Sequence, residues 1–223
     1  MASAEISKKT AATAALKYVE DGMTVGLGTG STAECFIEAL AKEVKKGLSV
    51  LGIPTSERTK KLAKSLGIPT AELNDKNILD LCVDGADEVD KKFNLIKGGG
   101  GALTREKIVA SAALKYVVIV DESKLVKKIG TFPLPIEVIP FAQNYVLNEL
   151  LEIGEGAEIR KGFKTDNGNV IIDVKGLDFS DPLALETELN NIPGVLENGI
   201  FSIRQPEIVI VGKGKEHDIM RND

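Results

Sequence analysis

The strongest constraint on the fold is an alternation. In the first half of the chain, short apolar runs trade places with helical patterns at regular intervals. MTVGLG (Met23–Gly28), LSVLGIPTS, ILDLCVDGADEVD and YVVIVDES read as four buried strands. The stretches STAECFIEALAKEVKKG (Ser31–Gly47), SERTKKLAKSLG (Ser56–Gly67) and TREKIVASAALKY between them read as helices, with Ser31 or Thr32 and then Thr104 as caps. Strands apolar throughout, rather than alternating, imply burial on both faces. That requires a parallel sheet covered by helices on each side. A further amphipathic helix precedes them in MASAEISKKTAATAALKYV, with Ile6, Ala14, Ala15, Tyr18 and Val19 as its apolar positions.

The pattern changes at TFPLP, where Pro133 and Pro135 mark a boundary. Strand (IEVIP), helix (AQNYVLNELLEIG), strand (AEIRKGF), a TDNGN turn, strand (NVIIDVK), helix (SDPLALETELNNIPG) and strand (VLENGIFSIR) follow. This β-α-β-β-α-β order is that of a ferredoxin-like unit. One apolar run, EIVIVG, is left over and is expected to return to the first sheet. The predicted organisation is therefore α/β: a Rossmann-like parallel-sheet domain over 1–130 and 204–223, with a smaller ferredoxin-like α/β domain over 131–203 inserted before the last strand. GKEHDIMRND reads as a polar tail.

Bulk properties narrow the function. The net charge is −5, which argues against a broad nucleic-acid footprint. No apolar run spans a bilayer, and the N-terminal stretch lacks a signal-peptide core. Cys35 and Cys82 lack metal-ligand spacing and read as buried small residues. They fit a reducing, cytoplasmic compartment. The single histidine, His217, lies in the polar tail, which disfavours a Ser-His-Asp triad or a histidine metal site. Chemistry falls to carboxylates, lysines and hydroxyls.

Four clusters carry those groups. GLGTGST (Gly26–Thr32) joins a strand to a helix N-terminus, where free N–H groups and the helix dipole favour an anion. Its glycines miss the dinucleotide spacing because Ser31 occupies the third position, and a phosphate-binding lysine of the P-loop type is absent. A monophosphate site and a plain capped turn both fit. VDGADEVD places Asp84, Asp87, Glu88 and Asp90 at a strand's carboxyl end, where ligands of open α/β sheets bind. Crowded carboxylates can retain a proton and serve in proton transfer; a divalent metal site is the rival reading, weakened by the absence of a nearby histidine. Gly85 and Ala86 keep that site small and open, while Glu88 and Asp90 read as a solvated acidic turn. In IKGGGGALTREKIVA, four glycines form a rigid nest with Lys97 at its mouth, and Glu106 lies in the first turn of the helix beyond. Alone, Glu106 reads as a helix-dipole partner. Lys124, in DESK, follows the fourth strand. Lys8 and Lys9 do not stand out from surface lysines.

Together, GLGTGST, VDGADE, KGGGGALTREK and DESK, followed by FPLPIEVIP, TDNGNVIID and NNIPGV, resemble the A-type ribose-5-phosphate isomerases in order and spacing over essentially the whole chain. The resemblance implies interconversion of ribose 5-phosphate and ribulose 5-phosphate in the pentose phosphate pathway. It implies no metal and no organic cofactor, a homodimer or homotetramer, and no nucleic-acid or membrane partner. It also implies Glu106 as general base, with Asp84, Asp87 and Lys97 as further catalytic groups. Substrate contacts would come from Lys8, Thr29, Gly30, Ser31, Thr32, Asp84, Gly85, Ala86, Asp87, Lys97, Gly98, Gly99, Gly100 and Lys124. On this reading the N–H groups of Gly98–Gly101 face a developing oxyanion. The rival readings are a sugar-phosphate sensor, an amino-sugar phosphate deaminase and a coenzyme A transferase with Glu106 as nucleophile. A nicotinamide dehydrogenase is disfavoured by the failed glycine spacing.

Overall fold

A computed structural model describes residues 2–76 and 78–222. In chain order the helices are α1 (Ala2–Ala15), α2 (Ser31–Lys45), α3 (Glu57–Ser65), α4 (Leu103–Ala112), α5 (Gln143–Ile153) and α6 (Pro182–Asn190). The strands of the first half are β1 (Thr24–Leu27), β2 (Leu51–Pro54), β3 (Leu79–Asp84), β4 (Glu88–Val89), β5 (Leu95–Ile96) and β6 (Ala113–Asp121). Those of the second half are β7 (Leu134–Val138), β8 (Gly156–Ile159), β9 (Val170–Lys175), β10 (Val195–Asn198), β11 (Ile200–Phe201), β12 (Ile208–Lys213) and β13 (Glu216–Arg221).

The chain divides into two compact units. The first takes the described residues of Met1–Ala86, Arg105–Lys124 and Pro206–Asp223; the second takes Asp87–Thr104 and Leu125–Gln205. The stretches 87–104, 125–130 and 204–205, expected in the first domain, are thus grouped with the smaller sheet.

The first unit is built on a six-stranded sheet of order β13-β12-β6-β3-β1-β2, parallel except for β13. Side chains alternate across it. Val25, Leu27, Leu81, Val83, Val117, Ile119, Ile208 and Ile210 meet Phe36, Ile37 and Leu40 of α2 and Ala11, Ala12 and Ala15 of α1. The buried face of α1 is thus an alanine face, while Ile6 stays exposed. The opposite sheet face carries Gly26 and Cys82. A methyl on Gly26 would meet Val109 of α4 at 2.6 Å, so α4 packs there because β1 offers no side chain. Helices therefore cover both faces, as the unbroken apolar strands require. Each fully buried Leu, Ile or Phe contributes about 1.5–3 kcal/mol.

EIVIVG returns to this sheet as β12, parallel to β6. The supposed polar tail is β13, an edge strand that pairs with β12 from Ile208↔Arg221 to Lys213↔Glu216. Its charges are those of a strand with solvent on one side. Two further boundaries differ from expectation. The segment read as helix to Tyr116 turns into β6 at Ala113. Ser31 and Thr104 lie inside their helices rather than capping them, and Gly30 is the cap of α2.

The second unit holds a four-stranded antiparallel sheet of order β10-β7-β9-β8. With α5 and α6 between its strands, this is the ferredoxin-like arrangement. Leu134, Ile136 and Val138 of β7 face Val146, Leu150, Leu185 and Leu189. Pro135 and Glu137, the alternate residues, point to the other face. The run VLENGIFSIR, read as one strand, breaks at Gly199. Its first part is β10, and its second, β11, joins β5 and β4 in a separate three-stranded sheet.

Candidate active site

In the first unit the loops that follow β1, β3 and β6 all open at the carboxyl edge of three adjacent strands. The loop after β1 contains Gly28–Thr32. A methyl on Gly28 would lie 2.1 Å from Asp84 Oδ1, so glycine lets this loop rest directly on the end of β3. Asp84 is fully buried, and its Oδ1 accepts from Thr29 N–H (3.0 Å) and Gly85 N–H (2.7 Å). Gly30 adopts φ 107°, ψ 169°, a glycine conformation that starts α2 without a side-chain cap. Ser31 is exposed and Thr32 half-buried in the first turn. The early N–H groups there lack partners within the helix and favour an anion.

The Thr29 hydroxyl has a different neighbourhood from the one expected of a substrate donor. It lies 2.7 Å from Thr55 Oγ1, 2.8 Å from Ser56 Oγ and 3.1 Å from Thr59 Oγ1. Thr59 Oγ1 in turn donates to Gly28 O at 2.9 Å. This hydroxyl cluster holds the loop from beneath. Thr55, Ser56 and Thr59 carry no separate signal in the sequence, because hydroxyls at a helix start usually signal capping alone; Ser56 does cap α3.

Glu106 lies in the first turn of α4, one turn before Val109, and is 4% exposed. Because α4 feeds directly into β6, it runs back toward the amino ends of the strands. Its first turn therefore stands toward their carboxyl edge. The Arg105–Glu57 ion pair (3.1 Å) confirms this, since Glu57 begins the helix that follows β2. Lys124 is half-buried in a 3-10 turn after β6, where Asp121 Oδ1 accepts from Ser123 N–H at 3.0 Å. Lys8 Nζ pairs with Glu5 at 3.0 Å on α1. Ala86 ends this unit's segment, half-buried.

The second unit holds Asp87, Lys97 and the glycines. Asp87 N–H donates to Ile96 O (2.8 Å), and Asp87 Oδ2 accepts from Gly99 N–H (2.8 Å). Gly101 N–H donates to Gly98 O (2.8 Å). Two of the four N–H groups expected to face an oxyanion are thus committed inside the loop, which corrects that reading for Gly99 and Gly101. Gly98 (φ 98°) and Gly101 (φ 75°) supply the left-handed turns of a rigid nest. The loop is no linker: a methyl on Gly98 would meet Leu103, and one on Gly101 would meet the Phe163 ring at 2.2 Å. Gly100 is exposed. Lys97, only 2% exposed, is fixed by its N–H to Gly199 O (2.9 Å), and its ammonium lies 5.6 Å from the Phe201 ring centre. A lysine buried this deeply is no ordinary surface charge.

Glu88 and Asp90 are not a solvated turn. Glu88 accepts from the N–H groups of Gly130 and Phe132 (both 2.7 Å), and Asp90 accepts from Lys92 and Asn94. Both are buried structural acceptors. Among the described residues, no group of three His, Cys, Asp or Glu side chains is placed to hold a metal ion. Cys82 is buried as expected, whereas Cys35 is half-buried, with its thiol pushed up by burial first and then by Glu38 and Glu5.

Residues 51–216 match the family described as Ribose 5-phosphate isomerase A (phosphoriboisomerase A). A ribose-5-phosphate isomerase A from Acidithiobacillus ferrooxidans is 54% identical over 207 residues, covering 92% of this chain and 93% of its own. One from Legionella pneumophila is 50% identical over 204 residues, covering 92% and 94%. The crystal structure of ribose 5 phosphate isomerase A from Neisseria gonorrhoeae superimposes with a TM-score of 0.95 at 42% identity, over 99% of this chain and 98% of that one. A D-ribose-5-phosphate isomerase in complex with phospho-erythronic acid gives 0.93 at 47% identity, over 97% and 98%.

Proposed function

The chain belongs to the ribose 5-phosphate isomerase A family, and from that premise we propose which of its residues perform the reaction. The activity is the aldose–ketose interconversion of D-ribose 5-phosphate and D-ribulose 5-phosphate through an enediolate, in the non-oxidative branch of the pentose phosphate pathway. The observation that best supports the assignment is the burial of Glu106 in the first turn of α4, toward the sheet edge that bears Asp84 and the Gly28–Thr32 loop.

In the proposed division of labour, the phosphate is held by Ser31, Thr32 and the first-turn N–H groups of α2, with Lys124 and Lys8 supplying positive charge. Thr29 contributes its backbone, since its hydroxyl lies in the Thr55–Ser56–Thr59 cluster. Binding energy from the phosphate end orients the carbons that react. Glu106 removes the C2 proton of the open-chain aldose and returns it to C1. Asp84 and Asp87 move the hydroxyl proton between O1 and O2 and assist ring opening. Lys97, with Gly98 and Gly100 of the nest, stabilises the charge that develops on the carbonyl oxygen. Gly85 and Ala86 leave room for the sugar beside Asp84. These roles account for every proton in the isomerisation without a metal or organic cofactor. The phospho-erythronic acid held by a relative is a carboxylate that can stand in for such an enediolate.

The test is direct. Protein treated with a chelator and desalted is incubated with ribose 5-phosphate, and ketose is followed by absorbance. Ketose formation at the untreated rate is expected; its absence from folded protein would overturn the cofactor-free assignment. We propose further that the enzyme works in the cytoplasm as a homodimer or homotetramer. Exposed apolar side chains in the second unit, among them Phe141 at 98% with Ile139 and Tyr145, support assembly. Light scattering that returned a monomer mass at assay concentrations would refute it.

A further inference from the structure

Glu137 is fully buried in the middle of β7, and no step above uses it. It lies on the sheet face opposite α5 and α6, where four side-chain donors converge on it. Thr104 Oγ1 donates to its Oε2 at 2.5 Å. Thr165 Oγ1 (2.7 Å), Asn169 Nδ2 (2.9 Å) and Asn167 Nδ2 (3.1 Å) donate to its Oε1. A carboxylate is costly to bury without such partners, and a fold that needed only a packed sheet would have an apolar residue here. Three of the four donors belong to one tight turn, the TDNGN segment, which is closed by Thr165 N–H to Asn169 O (3.0 Å) and Gly168 N–H to Thr165 O (2.9 Å). The fourth, Thr104, belongs to the first turn of α4, the same turn that carries Glu106.

The same hairpin holds the glycine nest at two more points. Arg160, paired through two nitrogens with Asp173, donates from Nη1 to Gly99 O at 3.1 Å. The Phe163 ring, with the Arg160 guanidinium 5.3 Å from its centre, covers Gly101, where no side chain would fit. The β8–β9 hairpin thus grips the segment from Gly99 to Thr104 at its start, middle and end.

We infer that Glu137 is a positioning residue for the isomerisation: its buried carboxylate anchors Thr104 to the TDNGN turn and thereby sets the first turn of α4, on which the base is carried. This rests on the assignment of Glu106 as the base. A base must meet its carbon-bound proton within narrow limits, and a shift near 1 Å costs up to about 100-fold in rate. The hydrogen bond to Thr104 is the one of the four that reaches α4, so it is the one whose loss should be felt in turnover.

The experiment compares Thr104→Val, which keeps the shape and removes the hydroxyl, with Thr104→Ser, which keeps it. Val146→Ala serves as a destabilised control in the core of the same unit. For Thr104→Val, kcat is expected to fall about tenfold with KM within about twofold, as for an interaction felt only in the transition state. Thr104→Ser should restore kcat to within about twofold of wild type, and Val146→Ala should lower the urea midpoint without lowering kcat. Where Thr104→Val does not fold, Thr104→Ala removes the same hydroxyl without a branched side chain and carries the same comparison. Wild-type kcat in the folded hydroxyl-free variant would overturn the proposal, as would an equal kcat loss in Val146→Ala. Glu106→Gln, measured alongside, separates the two readings. If it loses turnover while Thr104→Val does not, only the tether fails; if it keeps turnover, the base assignment fails first.

Discussion

Gly28→Ala offers a prediction whose size follows from the structure. The added methyl would lie 2.1 Å from Asp84 Oδ1, 2.3 Å from its Cγ and 2.6 Å from its Cα. The carboxylate can rotate away, but the Cα belongs to the backbone of β3. Ordinary contact begins at 3.4 Å, so the ends of β1 and β3 must part by about 1 Å. The Gly28 N–H bond to Val83 O (3.0 Å) and the Thr29 N–H bond to Asp84 lie across that opening. Overpacking costs about 1–3 kcal/mol, and weakening these bonds adds about 1–2 kcal/mol, for about 2–5 kcal/mol in all. Because Asp84 and the proposed phosphate loop move apart, kcat/KM should fall by about 100-fold. Urea unfolding and steady-state kinetics read the two effects on one preparation. Gly85→Ala is the contrast in stability, since its nearest neighbour, Ile119 O, lies at a comfortable 3.8 Å; it should cost under about 1 kcal/mol. Gly28→Ala protein with wild-type urea midpoint and turnover would refute the close-approach argument.

Lys124→Ala and Thr32→Ala, at the proposed phosphate end, should raise KM by about 10-fold or more while kcat changes little; a large kcat loss at unchanged KM would contradict their role. Cys35 should alkylate slowly, because burial and the nearby Glu38 and Glu5 disfavour the thiolate. The pH profile of its reaction with iodoacetamide should have a midpoint above that of free cysteine, and a midpoint at or below that value would contradict the assigned environment.

What the sequence made legible was the part governed by local pattern. Val25, Leu27, Leu81, Val83, Val117 and Ile119 lie in unbroken apolar runs, and that alone predicts strands buried on both faces. GLGTGST and the glycine run were visible because glycine marks places where backbone approaches something closely. The difficulties arose where tertiary contacts override pattern. β13 is polar because an edge strand needs little apolar surface, and β4, β5 and β11 are only two residues long, too short to show any period. Thr104 has the chemistry of a cap, but its hydroxyl is drawn to Glu137, 33 residues away. Glu88 resembles an exposed acid until the N–H groups of Gly130 and Phe132, 42 and 44 residues on, donate to it, whereas Asp90 is satisfied within its own turn by Lys92 and Asn94. Of the site itself, Asp84 and the Gly28–Thr32 loop are joined by a hydrogen bond that spans 55 residues. No spacing rule discloses it; the order of motifs along the chain implies only that both belong to one site.

The central claim is that Glu106 carries the proton between C2 and C1. The most direct measurement follows ribose 5-phosphate in deuterium oxide with wild-type and Glu106→Gln protein, reading kcat and the deuterium gained at C1 of the ketose by NMR. The account predicts a kcat about 10²–10⁴-fold lower for Glu106→Gln, with KM close to wild type and solvent exchange at C1 lost in proportion. Near-wild-type turnover and exchange by folded Glu106→Gln protein would contradict it.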